Sequence, residues 1–333
     1  MATSASARRP AGGRPAGKTS PRTAATDSPA VNWPPYGFMP AGWEAGAQGG
    51  PWPQNFDSAT WDNLLQQVGD EFARELWPRR VNGAWVGAAL ATSEDLTRAD
   101  LDLMRSQLQP LHRQPVGAQG ELAQVTHRAL FTLEDDIPVS GYLFETVRRY
   151  LEGMPAGLVA GVIAEAGRGI GALGPRPMMF KRVLQRPRPH QVSQLLQLPF
   201  DREHAKSAVS PAMISGHALQ GLFLATYAYV AHHVQFDPLP GARAMLLRYA
   251  TDFGDRRVFA GVHYPSDNVS SWYLALSLSD RVFGPQGPRA RKFMVDAVRQ
   301  STVYAALKHH ATTQPRSAFS APMAWLDAAL ATP

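Results

Sequence analysis

The chain has 333 residues, 44% of them apolar, 18% charged and none of them cysteine. That composition is ordinary for a globular protein with a sizeable core, and it rules out disulfides, thiolate metal sites and cysteine nucleophiles. The net charge of +6 is concentrated at one end, where Arg8, Arg9, Arg14, Lys18 and Arg22 face only Asp27; the nearly balanced remainder has no basic stripe interleaved with aromatics that would bind nucleic acid.

Residues 1–55 are rich in Ala, Gly, Pro, Arg and Ser and bury too little to fold alone, so they are read as a disordered or loosely packed tail. Trp33, Tyr36, Phe38, Trp43 and Trp52 give its second half something to lay against the folded body. Arg8-Arg9 is followed by Pro10 rather than an apolar stretch, so no secretory signal is expected and the location is taken as cytoplasmic.

From Phe56 onward helical periodicity takes over. Trp61, Leu64, Leu65, Val68, Phe72, Leu76 and Trp77 recur at three- and four-residue steps until Pro78. Further helices are predicted over 93–109, with a Thr92/Ser93 cap and Glu94 and Asp95 in the first turn, then over 119–133, 138–152, 155–167 and 177–186. The series continues over 215–234, 239–257, 265–283 and 288–309. Few segments alternate with a period of two, so no sheet is required. The longest apolar stretch, 219–234, carries His232 and His233 and reads as a buried core helix rather than a membrane span. The expectation is a single all-α domain over 56–330, a helical bundle, with a homo-oligomer left possible.

Three segments carry the chemistry. Lys181 and Arg188-Pro189 stand seven apart, two helical turns, although Pro187 and Pro189 can swing Arg188 into a loop. Ser215-Gly216-His217 opens an apolar helix, and a helix N-terminus offers free N–H groups and a positive dipole end to an anion. Gly216 would let the backbone approach closely. In the third segment His263 and Asp267 are one turn apart, so the carboxylate can fix one imidazole nitrogen and leave the other free to act. Arg257 ends the helix before them. Each segment alone has a bland explanation, as a solvated face, an N-cap or a structural ion pair. Together, within 87 residues, they assemble donors and positive charge suited to a tetrahedral oxyanion.

The pattern K-x6-R-P, P-S-G-H, S-R-x5-H-x3-D resembles the superfamily of type-2 phosphatidate phosphatases, bacterial non-specific acid phosphatases and vanadium haloperoxidases. Lys181, Arg188, Pro189, Ser215, Gly216, His217, Arg257, His263 and Asp267 match it, with Ile214 in place of proline and Arg256 in place of serine. The resemblance covers roughly 175–285. It implies a helical bundle and, for the phosphatases, no cofactor or metal and a small-molecule phosphate ester as substrate. It implies His263 as nucleophile oriented by Asp267, and His217 as acid and then base. Lys181, Arg188, Ser215, Gly216 and Arg257 would hold the phosphate oxygens. In the haloperoxidase alternative, vanadate would sit on His263. The His263-Tyr264-Pro265-Ser266-Asp267 wording and the compact length favour the phosphatase. An optimum on the acid side of neutral is expected, since one histidine must be neutral while the other is protonated.

Other signals are discounted. Gly169-x-Gly171-x-x-Gly174 is followed by Pro175 and Pro177 where a dinucleotide fingerprint needs a helix. Asp100/Asp102 and Glu134-Asp135-Asp136 read as solvated helix faces or caps rather than cation ligands. Asp255 is expected to neutralise Arg256 beside it.

Overall fold

A helix that is apolar all round must be buried, and the helix that follows Ser215 becomes the centre of the molecule. The computed structural model describes residues 79–81, 84–86, 94–136, 139–173, 177, 180–181, 186–205, 208 and 211–332. The tail over 1–55, the helix expected over 61–77, the Thr92/Ser93 cap and residues 182–185 lie outside the described residues.

The elements run in chain order from a short antiparallel hairpin, β1 (Arg79–Val81) and β2 (Ala84–Val86), paired Arg79↔Val86 and Val81↔Ala84. Helix α1 (Glu94–Leu103) passes into a π turn at Met104–Leu108 and a 3-10 turn at Gln109–Arg113, where Pro110 cannot continue an α-helix. Then come α2 (His127–Asp136), α3 (Val139–Tyr150), α4 (Ala156–Leu173) and the short α5 (Pro189–Leu195). The C-terminal half holds α6 (Gly216–Phe236), α7 (Pro240–Phe259), α8 (Pro265–Phe283), α9 (Gly287–Val298), α10 (Thr302–Thr313) and α11 (Ser320–Ala331).

The all-α class stands, with that one hairpin beside it. Expected boundaries shift in several places. The 119–133 helix starts only at His127, after a 3-10 turn at Glu121–Ala123, and the 155–167 helix runs on to Leu173. The 288–309 helix is two helices, because Ser301 caps a new one by accepting from the Tyr304 N–H at 3.0 Å. Gly169 and Gly171 lie inside α4, which removes the strand–turn–helix setting of a dinucleotide loop.

α6 is packed by α4, α7, α8 and α9, and Leu219, Leu222, Phe223 and Leu224 are wholly buried. Two glycines set how closely α7 crosses it. A Cβ on Gly221 would lie 2.7 Å from the Ala250 carbonyl oxygen, and one on Gly254 would lie 2.6 Å from Ala218 Cα. Only glycine allows that approach, and it brings the C-terminal end of α7, with Arg257, to the N-terminal end of α6. The link to α8 turns at Gly261, whose φ of 76° puts it in the left-handed region. Pro265 opens α8 at its first turn, and Asp267 caps the entry by accepting from the Tyr264 N–H at 2.9 Å. Among the described residues, no helix is long and apolar enough to cross a membrane.

Candidate active site

The site grows around the first turn of α8. His263 Nδ1 lies 3.2 Å from Asp267 Oδ2, and His263 Nε2 lies 3.0 Å from Arg188 Nη1. Asp267 can only accept and Arg188 can only donate, so the proton sits on Nδ1 and the Nε2 lone pair faces Arg188. Burial, reinforced by Arg188 and Lys181, pushes His263 well below the usual histidine range despite the pull of Asp267. Burial alone would raise Asp267, but Arg186 and His263 overcome it and hold the carboxyl at about 2.

Arg188 reaches the site from a non-helical segment over 186–188 and also donates to the Val262 carbonyl at 2.5 Å. The helix expected over 177–186 does not include Arg186, and Arg188 lies in a loop between Pro187 and Pro189, as those two prolines allowed, rather than on a helix face shared with Lys181. Lys181 Nζ donates to the Pro211 and Ala212 carbonyls, 3.2 Å to the latter, at the loop entering α6. Its burial, with Arg188 close by, depresses its pKa well below the lysine value.

Ser215 is the N-cap of α6, its Oγ accepting from the Ala218 N–H at 3.2 Å, while its carbonyl accepts from Ser271 Oγ at 2.9 Å. A Cβ on Gly216 would meet nothing nearer than Pro177 Cβ at 3.8 Å, so protein packing does not itself demand glycine there. His217 is half-buried beside Phe253, ring centroids 5.1 Å apart. Desolvation, then Arg257, His263, Lys181 and Arg188, hold its pKa well below the usual value. Both histidines are thus pushed toward the neutral form.

Arg257 is fully buried, its guanidinium 4.5 Å from the Phe131 ring centroid and 3.4 Å from Glu134 Oε2. Glu134 corrects two expectations. It is not on a solvated face but 2% exposed, and it pairs with Arg256 through both carboxylate oxygens. Asp255 does not neutralise Arg256; it accepts from Ser301 Oγ at 2.8 Å, the Val303 N–H at 3.2 Å and Asn268 Nδ2 at 3.2 Å. Arg256 instead continues to the Tyr150 hydroxyl at 2.7 Å, which donates to Asp252 at 2.6 Å. Ile214, the other departure from the pattern, is wholly buried in the core.

One more buried cation carried no signal in the sequence. Arg186, inside the six-residue gap between Lys181 and Arg188, donates to Asp267 Oδ1 at 2.6 Å and to Asp100 Oδ2 at 2.8 Å. Asp100 is likewise corrected from a solvated position to a fully buried one, whereas Asp102 is exposed as expected.

The geometry is therefore a buried Nδ1–H histidine with its free nitrogen turned to cations, a second histidine within their field, and a capped helix N-terminus at the edge. Residues 158–283, which contain all nine motif positions, match the family model described as PAP2 superfamily. This segment belongs to the PAP2 superfamily. Members are phosphatases and related hydrolases, so a phosphatase-type activity is supported for the PAP2 segment in general. No curated protein and no solved structure matches the chain. Asp100 on α1, Glu134 on α2 and Tyr150 on α3 lie upstream of the PAP2 match and are partners of its buried Arg186 and Arg256.

Proposed function

We propose that this protein is a metal-independent phosphatase that hydrolyses phosphate monoesters, or phosphate esters of lipid type, through a phosphohistidine on His263. The observation that carries the proposal is the His263–Asp267 pair at 3.2 Å with Nε2 directed toward Arg188. A mere anion binder has no need of an imidazole whose tautomer is fixed and whose lone pair faces the anion's cations.

In this reading the phosphate displaces Nε2 from Arg188 and is held by Lys181, Arg188, Arg257, Ser215 and the Gly216 N–H. His263 Nε2 attacks phosphorus in line, the ester P–O bond breaks, and Asp267 stabilises the positive charge that appears on the imidazole. His217 gives its proton to the leaving oxygen. It then takes a proton from water, whose oxygen attacks the phosphohistidine, breaks the P–N bond and releases inorganic phosphate. Burial and then the surrounding cations lower the pKa of His217; a bound phosphate dianion counters the cations, so binding itself raises that pKa toward the protonated acid.

The test is release of p-nitrophenol from its phosphate ester by the full chain between about pH 4 and 8, freed of bound oxyanions. Hydrolysis that vanadate inhibits and that His263→Ala abolishes is the expected result. Peroxide-dependent halogenation with added orthovanadate, without hydrolysis, would replace the proposal with the vanadate-binding alternative on the same residues. Silence in both assays would leave only the anion-binding pocket.

A further inference from the structure

We propose that Arg186 is a positioning residue of this site: by tying Asp267 to Asp100 it fixes the carboxylate that sets the tautomer of His263. The inference rests on the reading of His263 as the group that attacks. It adds two residues, Arg186 and Asp100, that the nine-residue motif does not contain.

Both carboxylate oxygens of Asp267 are engaged. Its Oδ1 accepts from Arg186 Nη1 at 2.6 Å, and its Oδ2 accepts from His263 Nδ1 at 3.2 Å and the Tyr264 N–H at 2.9 Å. Turning the carboxylate would break bonds at both oxygens, so Arg186 acts as a lock on the side away from the histidine. Arg186 is itself locked. Its Nη2 donates to Asp100 Oδ2 at 2.8 Å, its Nη1 also donates to Ser266 Oγ at 2.8 Å, and its guanidinium lies 3.8 Å from the centre of the Tyr264 ring. Asp100 in turn accepts from the Ser266 N–H at 3.1 Å and from its hydroxyl. Arg186, Asp100 and Asp267 are all fully buried, so water cannot replace any of these partners.

The chemistry follows from the tautomer. With Asp267 in place the His263 proton stays on Nδ1 and Nε2 keeps its lone pair. If the carboxylate turns away, Nδ1–H loses its acceptor and the Nε2–H form becomes competitive, with its proton on the nitrogen that must attack. The other charged or titratable groups that act with His263 are Arg188 and Lys181 from the segment before α5 and His217 from α6. The cations among them have no acceptor to offer Nδ1 in place of Asp267. Outer-shell partners that orient metal-bound histidines and carboxylates govern roughly a 10- to 100-fold effect, and an effect of that order is expected for the same kind of support here.

The experiment uses the full chain with 15N-labelled imidazoles and compares wild type, Arg186→Gln and Arg186→Lys, assigning the His263 resonances with His263→Ala. In the wild type His263 should carry the Nδ1–H signature. Arg186→Gln should mix in the Nε2–H form and lower kcat on p-nitrophenyl phosphate about 10- to 100-fold with KM little changed, and Arg186→Lys should fall between the two. If Arg186→Gln does not fold, Asp100→Asn/Arg186→Gln removes one charge of each sign and carries the same expectation. A wild-type tautomer and wild-type kcat in these variants, with only the unfolding midpoint lowered, would reduce Arg186 to a structural ion bridge and overturn the proposal. A tautomer that responds to Arg186 in a protein that never turns over phosphate esters would uphold the positioning role and sink the phosphatase reading instead.

Discussion

Gly254→Ala sets two physical effects against each other, and the structure decides between them. Alanine is the better helix former by about 1 kcal/mol in a helix interior, and Gly254 lies inside α7. Propensity alone therefore predicts a more stable protein. The added methyl, however, would stand 2.6 Å from both Cα and Cβ of Ala218 and 3.2 Å from its nitrogen. Carbon atoms prefer roughly 3.5–4.0 Å, so α6 and α7 must separate locally by about 1 Å. The obstacle is backbone and cannot rotate aside, which places the cost near the upper part of the ~1–3 kcal/mol range for overpacking. Net destabilisation of roughly 2 kcal/mol is expected. The displaced residue also supplies the N–H that Ser215 Oγ caps, so the start of α6 moves with it. A shift of about 1 Å at such a position costs on the order of 100-fold in activity. Urea unfolding measures the first effect and kcat/KM on p-nitrophenyl phosphate the second. Gly167→Ala in α4, where an added Cβ meets nothing within 4 Å, is the control and should be neutral or stabilising. A Gly254→Ala protein as stable and as active as wild type would refute the argument that this crossing sets the site.

Glu134→Gln leaves Arg256 and Arg257 buried without their shared counter-charge and should lower stability by about 3–5 kcal/mol, read as a drop in the urea midpoint. Asp255, raised by burial and by Asp252 from 3.8 to about 7, holds its proton more tightly folded than unfolded. Its contribution is therefore fully present below pH 3.8 and is lost as pH rises through about 7; Asp255→Asn should remove that loss, on the order of 4 kcal/mol, from a plot of unfolding free energy against pH. The attacking His263 must be neutral in the free enzyme, and its pKa lies well below 6.5, so the acid limb of kcat/KM should fall below pH 6.5; a limb at or above that value would contradict the buried, cation-flanked setting.

The parts of this site that were legible in the sequence are those written at fixed local spacing. His263 and Asp267 are one turn apart, Ser215 is a helix cap by residue type, and Pro265 with Gly284 brackets α8 within its predicted bounds. What was missed depends on partners far apart in the chain. Glu134 meets Arg256 across 122 residues and Asp100 meets Arg186 across 86. An acidic residue destined to neutralise a buried arginine carries the same local signature as one on a solvated face, so no local rule separates Asp100 from Asp102. Arg186 was hidden differently, within a gap whose only fixed feature is its length. The β1–β2 hairpin did leave a trace, since Asn82-Gly83 between two short runs is a favoured hairpin dipeptide. The helix over Ser320–Ala331 left less, because Pro322 near its start reads as a breaker.

The carboxylates of Asp100 and Glu134 lie before residue 158, where the family match begins. Inheritance and folding therefore divide this chain at different places. A fragment cut to 158–283 would keep every motif residue yet strand Arg256 and Arg257 in its interior without Glu134, and deprive Arg186 of Asp100. Anyone who grafts this pocket onto another scaffold, or trims the protein for study, has to carry α1 and α2 along, although the motif names no residue in either.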